Sequence, residues 1–353
     1  YTTHPRLLPR TPRRSARSRP RRAGGSRADA QGVPSRESHK KTRPLVAFLQ
    51  PRKMHYVTKN KVNMQKTIKW IASIFIFTAS IELGETAEPT KLKLNWAKNM
   101  LTISGSHLPG KEMKIHYLEA YCRANSRDSD WGSHTVIGHK TEIISLSDDK
   151  TKLRLRCIVS DGVIVKHLIT TTHDEVDFNL TAHNPTNIRS EAHWAQPCIR
   201  VGKFTGTSSN TTQDKYAYIK KSFVYLDNNR TMMPTQGWAT EARYVPGQVW
   251  AGPGVPRTDI NPRPLHPAIP SNGLIGCYSA DKTMIFATAF EPYQELFQGV
   301  IRCLHSDFRL GGLKPKETRN IRGKIYIVKN NEQQLLDRYE KDFPEHKKLH
   351  LKK

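Results

Sequence analysis

From residue 88 onward the apolar positions fall in short runs that alternate with polar ones, and the three-to-four-residue spacing of helices is scarce. Residues 152–159 read KLRLRCIV, apolar at every second position, which is the period of a strand with one buried face. After Ser160, Asp161 and Gly162 comes VIVKHLIT (163–170). Two β-branched runs around Asp-Gly predict a hairpin. Further strands are expected at 176–182, 216–226, 274–278, 284–290 and 324–328, with turns at 183–185, 227–229 and 280–282. Only 331–343, with Leu335, Leu336 and Tyr339 on one side, has the pattern of a helix. Many short strands followed by one late helix predict an all-β fold, a large antiparallel β-sandwich over 88–330 with a C-terminal helix and basic tail over 331–353. The proline-rich stretch 245–270 cannot be a central strand. It is expected either to cover or line a site or to be a surface excursion without chemistry.

Charge changes the picture at the N-terminal end. The first 53 residues hold 15 Lys or Arg against 2 Asp or Glu, a net +13 out of the chain's +26. With almost no large apolar side chains, the stretch 11–31 cannot bury enough surface to offset chain entropy, and the basic segment 1–63 is expected to be disordered. Residues 64–87 then place Lys66 and Lys69 before an apolar run over 70–81 and a small residue, Ala87. That order is the signature of a secretory signal peptide, and the run is too short to span a bilayer. The expectation is therefore a secreted or periplasmic protein whose mature form lacks 1–63. The membrane would be met only through an uncleaved signal anchor, and nucleic acid is not expected as a partner of the mature form. The alternative keeps the arginine-rich arm as a nucleic-acid binder.

Five cysteines, Cys122, Cys157, Cys198, Cys277 and Cys303, form no CxxC pair, so zinc-ribbon spacing is absent. Cysteines inside runs such as LRLRCIV and IRCLH read as buried thiols. No metal and no cofactor are expected. There is no GxSxG elbow, no phosphate-binding glycine loop, no dinucleotide fingerprint and no HExxH, which lowers serine hydrolysis, nucleotide chemistry and zinc proteolysis.

The densest chemistry lies in SEAHWAQPCIRV (190–201), where His193, Trp194, Gln196 and Arg200 stand in one extended segment. This composition fits the polar floor of a pocket as well as an ordinary half-buried strand pair. The proline-rich stretch adds Trp250, Arg257, Asp259, Arg263 and His266, and a third polar cluster holds His305, Asp307 and Arg309 after Glu291 and Tyr293, while Arg302, like Arg200, is a candidate to hold a substrate carboxylate. The aromatic residues Trp131, Trp194, Trp238, Trp250 and Tyr293 suit stacking on sugar rings, and arginines suit uronates or sulfated sugars.

The run 286–328 resembles the end of aldose 1-epimerases of the galactose-mutarotase-like superfamily. It has Phe290-Glu291-Pro292, then Leu313-Lys314-Pro315-Lys316-Glu317-Thr318, then a last strand at 324–328. The segment NLTAHNPTNIRSEAHWAQ is similar to the family's catalytic-acid region, with Ala192 where the family has Asn and Lys316 where its turn has Gly. The resemblance covers roughly 176–328. It implies a galactose-mutarotase-like supersandwich, His193 as catalytic acid and Glu291 as catalytic base, facing one sugar from neighbouring strands of one sheet. The family's first sugar-binding arginine and first histidine have no counterpart here. An isomerase-like or lyase-like carbohydrate-active enzyme and a non-catalytic sugar-binding or interaction module both remain open, since fold does not decide chemistry.

Overall fold

The structure is a computed structural model that describes residues 90–126, 130–235, 249–260, 265–299 and 301–347. The basic segment 1–63, the signal-like segment 64–87, Arg263 and Trp238 lie outside the described residues. The chain divides into two compact units, and everything described belongs to the second, Ile81–Lys353.

Among the described residues seventeen strands run in chain order: β1 (Lys93–Ala97), β2 (Met100–Ser104), β3 (Glu112–Cys122), β4 (Val136–Ile137), β5 (His139–Leu146), β6 (Lys152–Val159), β7 (Ile164–Thr171), β8 (Glu175–His183) and β9 (Trp194–Arg200) come first. After them follow β10 (Ser222–Leu226), β11 (Asn229–Met232), β12 (Val249–Ala251), β13 (Ile275–Tyr278), β14 (Met284–Glu291), β15 (Tyr293–Gln298), β16 (Cys303–Arg309) and β17 (Thr318–Lys329). Two helices follow among the described residues, α1 (Glu332–Asp342) and α2 (Pro344–Lys347). One sheet has eight strands in the order β1-β2-β3-β9-β16-β15-β12, with β4 on β3; the other has nine, β11-β10-β13-β14-β17-β8-β7-β6-β5. The paired strands are antiparallel.

The predicted hairpin is β6 and β7, with Gly162 at a φ of 97° in its turn, a backbone state open to glycine at little cost. In β6 the alternate residues Leu153, Leu155, Cys157 and Val159 are buried. The expected strand at 216–226 is a correction. Only Ser222–Leu226 is extended, because turn hydrogen bonds from Ile219 N to Tyr216 O and from Lys221 N to Tyr218 O coil the preceding residues. Within the proline-rich stretch, β12 is a three-residue strand, itself free of proline, that pairs with β15 at the edge of its sheet.

The core between the sheets is bridged by a line of aromatic rings. Tyr117 from β3 meets Phe178 from β8 at 5.3 Å, Phe178 meets Phe290 from β14 at 5.5 Å, and Phe290 meets Phe308 from β16 at 5.4 Å. Helix α1 is capped by Asn331, whose side chain accepts from Gln334 N at 3.1 Å. Its Leu335 and Tyr339 pack with Phe343 against Phe223, Tyr225 and Tyr326 of the nine-stranded sheet. Arg338 is tied to Asp174 at 2.7 Å and to Glu175, which holds the helix on that sheet.

His167 of β7 is buried in this core with Nδ1 3.1 Å from the Tyr117 hydroxyl, and burial pushes its imidazole from 6.5 down to about 3. Between those values the unfolded chain binds a proton that the folded chain refuses. Stability therefore falls as pH drops below 6.5, by up to about 1.4 kcal/mol per pH unit from this group. His167→Gln keeps an acceptor for Tyr117 but does not titrate. Its urea midpoint should fall less steeply than wild type between pH 6.5 and 4, and parallel curves would refute this assignment of acid sensitivity.

Candidate functional site

Strand register explains how separate segments of sequence build one polar surface. Strands β9 and β16 pair Cys303 with Arg200, Leu304 with Ile199, Phe308 with Ala195 and Arg309 with Trp194. The same register sets Cys198 opposite His305 and Gln196 opposite Asp307. On the far side of β9, His116 pairs with Cys198 and Ala120 with Gln196; on the far side of β16, Phe297 pairs with His305 and Glu295 with Asp307. Paired residues in a sheet share a face. Two rows of side chains therefore cross four strands side by side: His116, Cys198, His305, Phe297, and then Ala120, Gln196, Asp307, Glu295.

The alternate residues Ala195, Ile199, Leu296, Leu304 and Phe308 point into the core, so the rows occupy the other face of the eight-stranded sheet. That face is polar and yet covered: His305, Asp307 and Glu295 are all buried. His305 lies flat on Phe297, ring centroids 4.0 Å apart, with Nε2 3.3 Å from the Cys303 sulfur and Nδ1 3.5 Å from Asp307 Oδ1. Burial pushes the Asp307 carboxyl up to about 7. Burial also opposes charge on His305, but the Cys303 sulfur and the Asp307 carboxylate outweigh it and lift the imidazole to about 10.

A second cluster closes one end of the rows. Asp259, in a short 3-10 turn, is buried; its Oδ1 accepts from Asn125 N at 2.7 Å and its Oδ2 from Arg309 Nη1 at 3.2 Å. Gln294 donates to the Asp259 carbonyl at 2.9 Å and accepts from Arg309. His193 Nδ1 stands 3.7 Å from Asp259 Oδ2, an ion-pair distance too long for a direct hydrogen bond. Desolvation works against the Asp259 charge, but the His193 ring, the Asn125 N–H and Arg309 together hold its carboxyl below the usual range. The His193 carbonyl accepts from Leu310 N and Gly311 N, both at 2.8 Å, which fixes the residue in place. Gly312 has a φ of 63°, and a Cβ there would lie 2.4 Å from His193 Nε2, so the imidazole occupies the space of the missing side chain.

The structure thus brings together His193, Trp194, Gln196, Asp259, His305, Asp307 and Arg309 from three separate stretches. Several expected site residues stand elsewhere. Glu291 ends β14 in the nine-stranded sheet, while His193 adjoins β9 in the other, so the expected pair on neighbouring strands of one sheet is corrected. Glu291 Oε2 is bonded to His346 Nε2 at 2.6 Å and faces a groove of about 710 Å³ with Arg154, Lys166, Asn320, Arg322 and Glu345. The reason is local: the chain leaves one sheet at Glu291 and enters the other at Tyr293.

Trp250 is fully buried in the core opposite Leu296, and Tyr293 is buried beside Phe308 and His346, so neither presents a stacking face. Trp194 is likewise buried, tilted against Trp131 at 6.2 Å. Arg257 donates to the His266 carbonyl at 3.1 Å, and His266 Nδ1 accepts from Ala268 N at 3.1 Å, so both brace the loop. Arg302 donates to the Thr212 carbonyl at 2.9 Å. Arg200 lies at the end of the face, beside Lys114 and Cys303.

Sequence reasoning missed Gln294, Glu295, Cys198 and Cys303 as members of the surface. The signal was present in CLHSDFR, where Cys303, His305, Asp307 and Arg309 recur at every second position. Position 294 was not legible, because a register shift between Tyr293 and Glu295 turns it outward.

No family model matches the chain, and no curated protein matches it. Among solved structures, the chain is similar to a putative aldose 1-epimerase of Escherichia coli K12, at 10% identity and a TM-score of 0.37, over 67% of this chain and 99% of that one. It is also similar to a galactose mutarotase related enzyme of Lactobacillus acidophilus, at 6% identity and a TM-score of 0.34, over 68% of this chain and 98% of that one. The described residues define an antiparallel β-sandwich with a largely buried polar layer on one face of its eight-stranded sheet.

Proposed function

We propose that this is an exported protein that binds a carbohydrate on the polar face of the eight-stranded sheet. The observation that carries the reading is unmet hydrogen-bonding capacity. Trp194 Nε1, Gln196 Oε1, both Asp307 carboxylate oxygens and His193 Nδ1 are buried without a hydrogen-bond partner among the described residues. Buried polar atoms without partners are costly. A polyhydroxylated ring satisfies several of them at once, since each hydroxyl both donates and accepts. Lys114 and Arg200, paired on β3 and β9, set two cations at one end of the face, which favours a carboxylated or sulfated sugar. Export rests on the signal-like order of residues 64–87.

A catalytic version of this reading is favoured by His193, an imidazole with a carboxylate, Asp259, facing its Nδ1 and with its backbone held on both sides. A ring so held is placed to pass a proton to a sugar oxygen. Glu291 has no part in it, being engaged with His346.

The test is calorimetric titration of neutral aldoses, uronates and sulfated oligosaccharides, with anomer equilibration followed by polarimetry and uronate elimination by ultraviolet absorbance. Binding is expected for at least one anionic sugar, and Gln196→Ala should weaken it. If turnover accompanies binding, His193→Ala should lower it by about 10²–10⁴-fold, while Glu291→Gln leaves it unchanged. Binding without turnover selects the non-catalytic module, and no binding across the panel overturns the proposal.

A further inference from the structure

A second chemistry is built into the same sheet, and it shares Asp307 with the proposed sugar-binding face. Cys198 and Cys303 come from adjacent strands, and His305 lies two residues beyond Cys303 on the same strand face. The two sulfurs and a ring nitrogen of His305 all lie within 4.8 Å of one another, and all three residues are buried. The ligands of a tetrahedral zinc ion, with bonds of about 2.3 Å to sulfur and about 2.0 Å to nitrogen, stand roughly 3.5–3.8 Å apart. The Cys303 sulfur is 3.3 Å from His305 Nε2, close to that spacing before any adjustment.

Three further features suit a metal. Asp307 faces the opposite ring nitrogen, Nδ1, at 3.5 Å, the arrangement in which a carboxylate takes the N–H of a ligating histidine and sets its tautomer. Stacking on Phe297 at 4.0 Å holds the imidazole plane, so that Nε2 stays aimed at the sulfurs. Gly299 lies over the cluster: a Cβ there would come within 2.4 Å of the Cys303 sulfur and 3.0 Å of His305 Nε2. All five cysteines carry free thiols, but only these two, with His305, form such a group among the described residues.

We infer that Cys198, Cys303 and His305 form a binding site for one zinc-class divalent cation, with Asp307 as the carboxylate that orients His305. Two sulfurs and one imidazole select a borderline-soft ion over magnesium or calcium, which take oxygen ligands. Three protein ligands leave a fourth coordination position for water or another small ligand. The ligand spacing is invisible to a motif search, because 104 residues lie between Cys198 and Cys303 and only the strand register joins them.

The test uses the full chain, purified under reducing conditions, loaded with zinc or cobalt(II) alone and then freed of loosely held ions by gel filtration. One equivalent of metal per chain is expected by elemental mass spectrometry. The cobalt form should show the sulfur-to-cobalt charge-transfer absorption of a thiolate site. Cys198→Ala, Cys303→Ala and His305→Gln should each reduce bound metal to background, and Asp307→Asn should weaken affinity by about 10–100-fold. Cys277→Ala, whose thiol lies in the other sheet, should retain the full equivalent. Circular dichroism checks that each variant is folded, and the wild-type cobalt spectrum decides the matter if a variant is not. Folded wild type that takes up neither ion, metal retained equally by all three ligand variants, or a Cys198–Cys303 disulfide in protein purified without reductant that zinc does not prevent would overturn the inference.

Discussion

Asp259→Ala should lower stability by about 3 kcal/mol in urea unfolding at pH 7 and abolish binding of any sugar the wild type binds, because one carboxylate organises a whole corner of the polar face. Its two oxygens meet the Asn125 N–H and the Arg309 guanidinium, and the His193 ring faces it at 3.7 Å. Removing it leaves Arg309, only 18% exposed, with the Gln294 side-chain amide oxygen Oε1 as partner among the described residues, and a cation so placed loses its neutralising charge. The effect should be largest near neutrality. The Asp259 carboxyl is held below its ordinary range in the folded state, so its contribution is complete above about pH 4 and is lost as pH falls through the folded value. Asp259→Asn keeps the acceptor for Asn125 but not the charge and should fall between wild type and alanine. A loss under about 0.5 kcal/mol for the alanine variant would show that this corner is not organised by its charge.

Phe290→Ala should cost about 3–5 kcal/mol, among the largest losses available from a single truncation in this chain. The ring is fully buried and is the middle link of the aromatic bridge, with Phe178 at 5.5 Å on one side and Phe308 at 5.4 Å on the other. Its site is shaped by Gly323, the residue paired with it on β17, where a Cβ would lie 2.2 Å from the ring. Gly323→Ala alone should therefore also destabilise, by displacing the ring. The double variant should cost less than the sum of the two, because the new methyl enters the space the ring has left. Strict additivity in urea midpoints would mean that the two residues are not in the contact described.

The candidate site was partly legible in the sequence. His193, Gln196 and Asp259 were singled out for their chemistry, and His305, Asp307 and Arg309 for their proximity in sequence, and all six lie on one surface. Trp194 belongs to that surface but is buried beneath Trp131, and Trp250 faces the core. Indole composition does not state which way a strand faces, and in β12 a three-residue run gives too little alternation to decide it. Glu291 was assigned by order along the chain, yet its side chain belongs to the other sheet.

What the sequence determined by itself was what depends on local periodicity and local backbone preference. The two-residue alternation in β6, the Asp-Gly turn that follows it, and the helix with Leu335, Leu336 and Tyr339 on one side are properties of neighbouring residues, and they led to an all-β sandwich with one late helix. What the tertiary structure decided was which strands lie side by side. The pairing of β9 with β16 sets Cys198 beside Cys303 and His305, and Gln196 opposite Asp307, across roughly a hundred residues. The pairing of β14 with β17 places Glu291 on the other sheet. Such pairings are chosen by burial of the whole core, in which each strand's apolar face must meet the facing sheet. The energy that fixes them is spread over many side chains, and no single segment carries it.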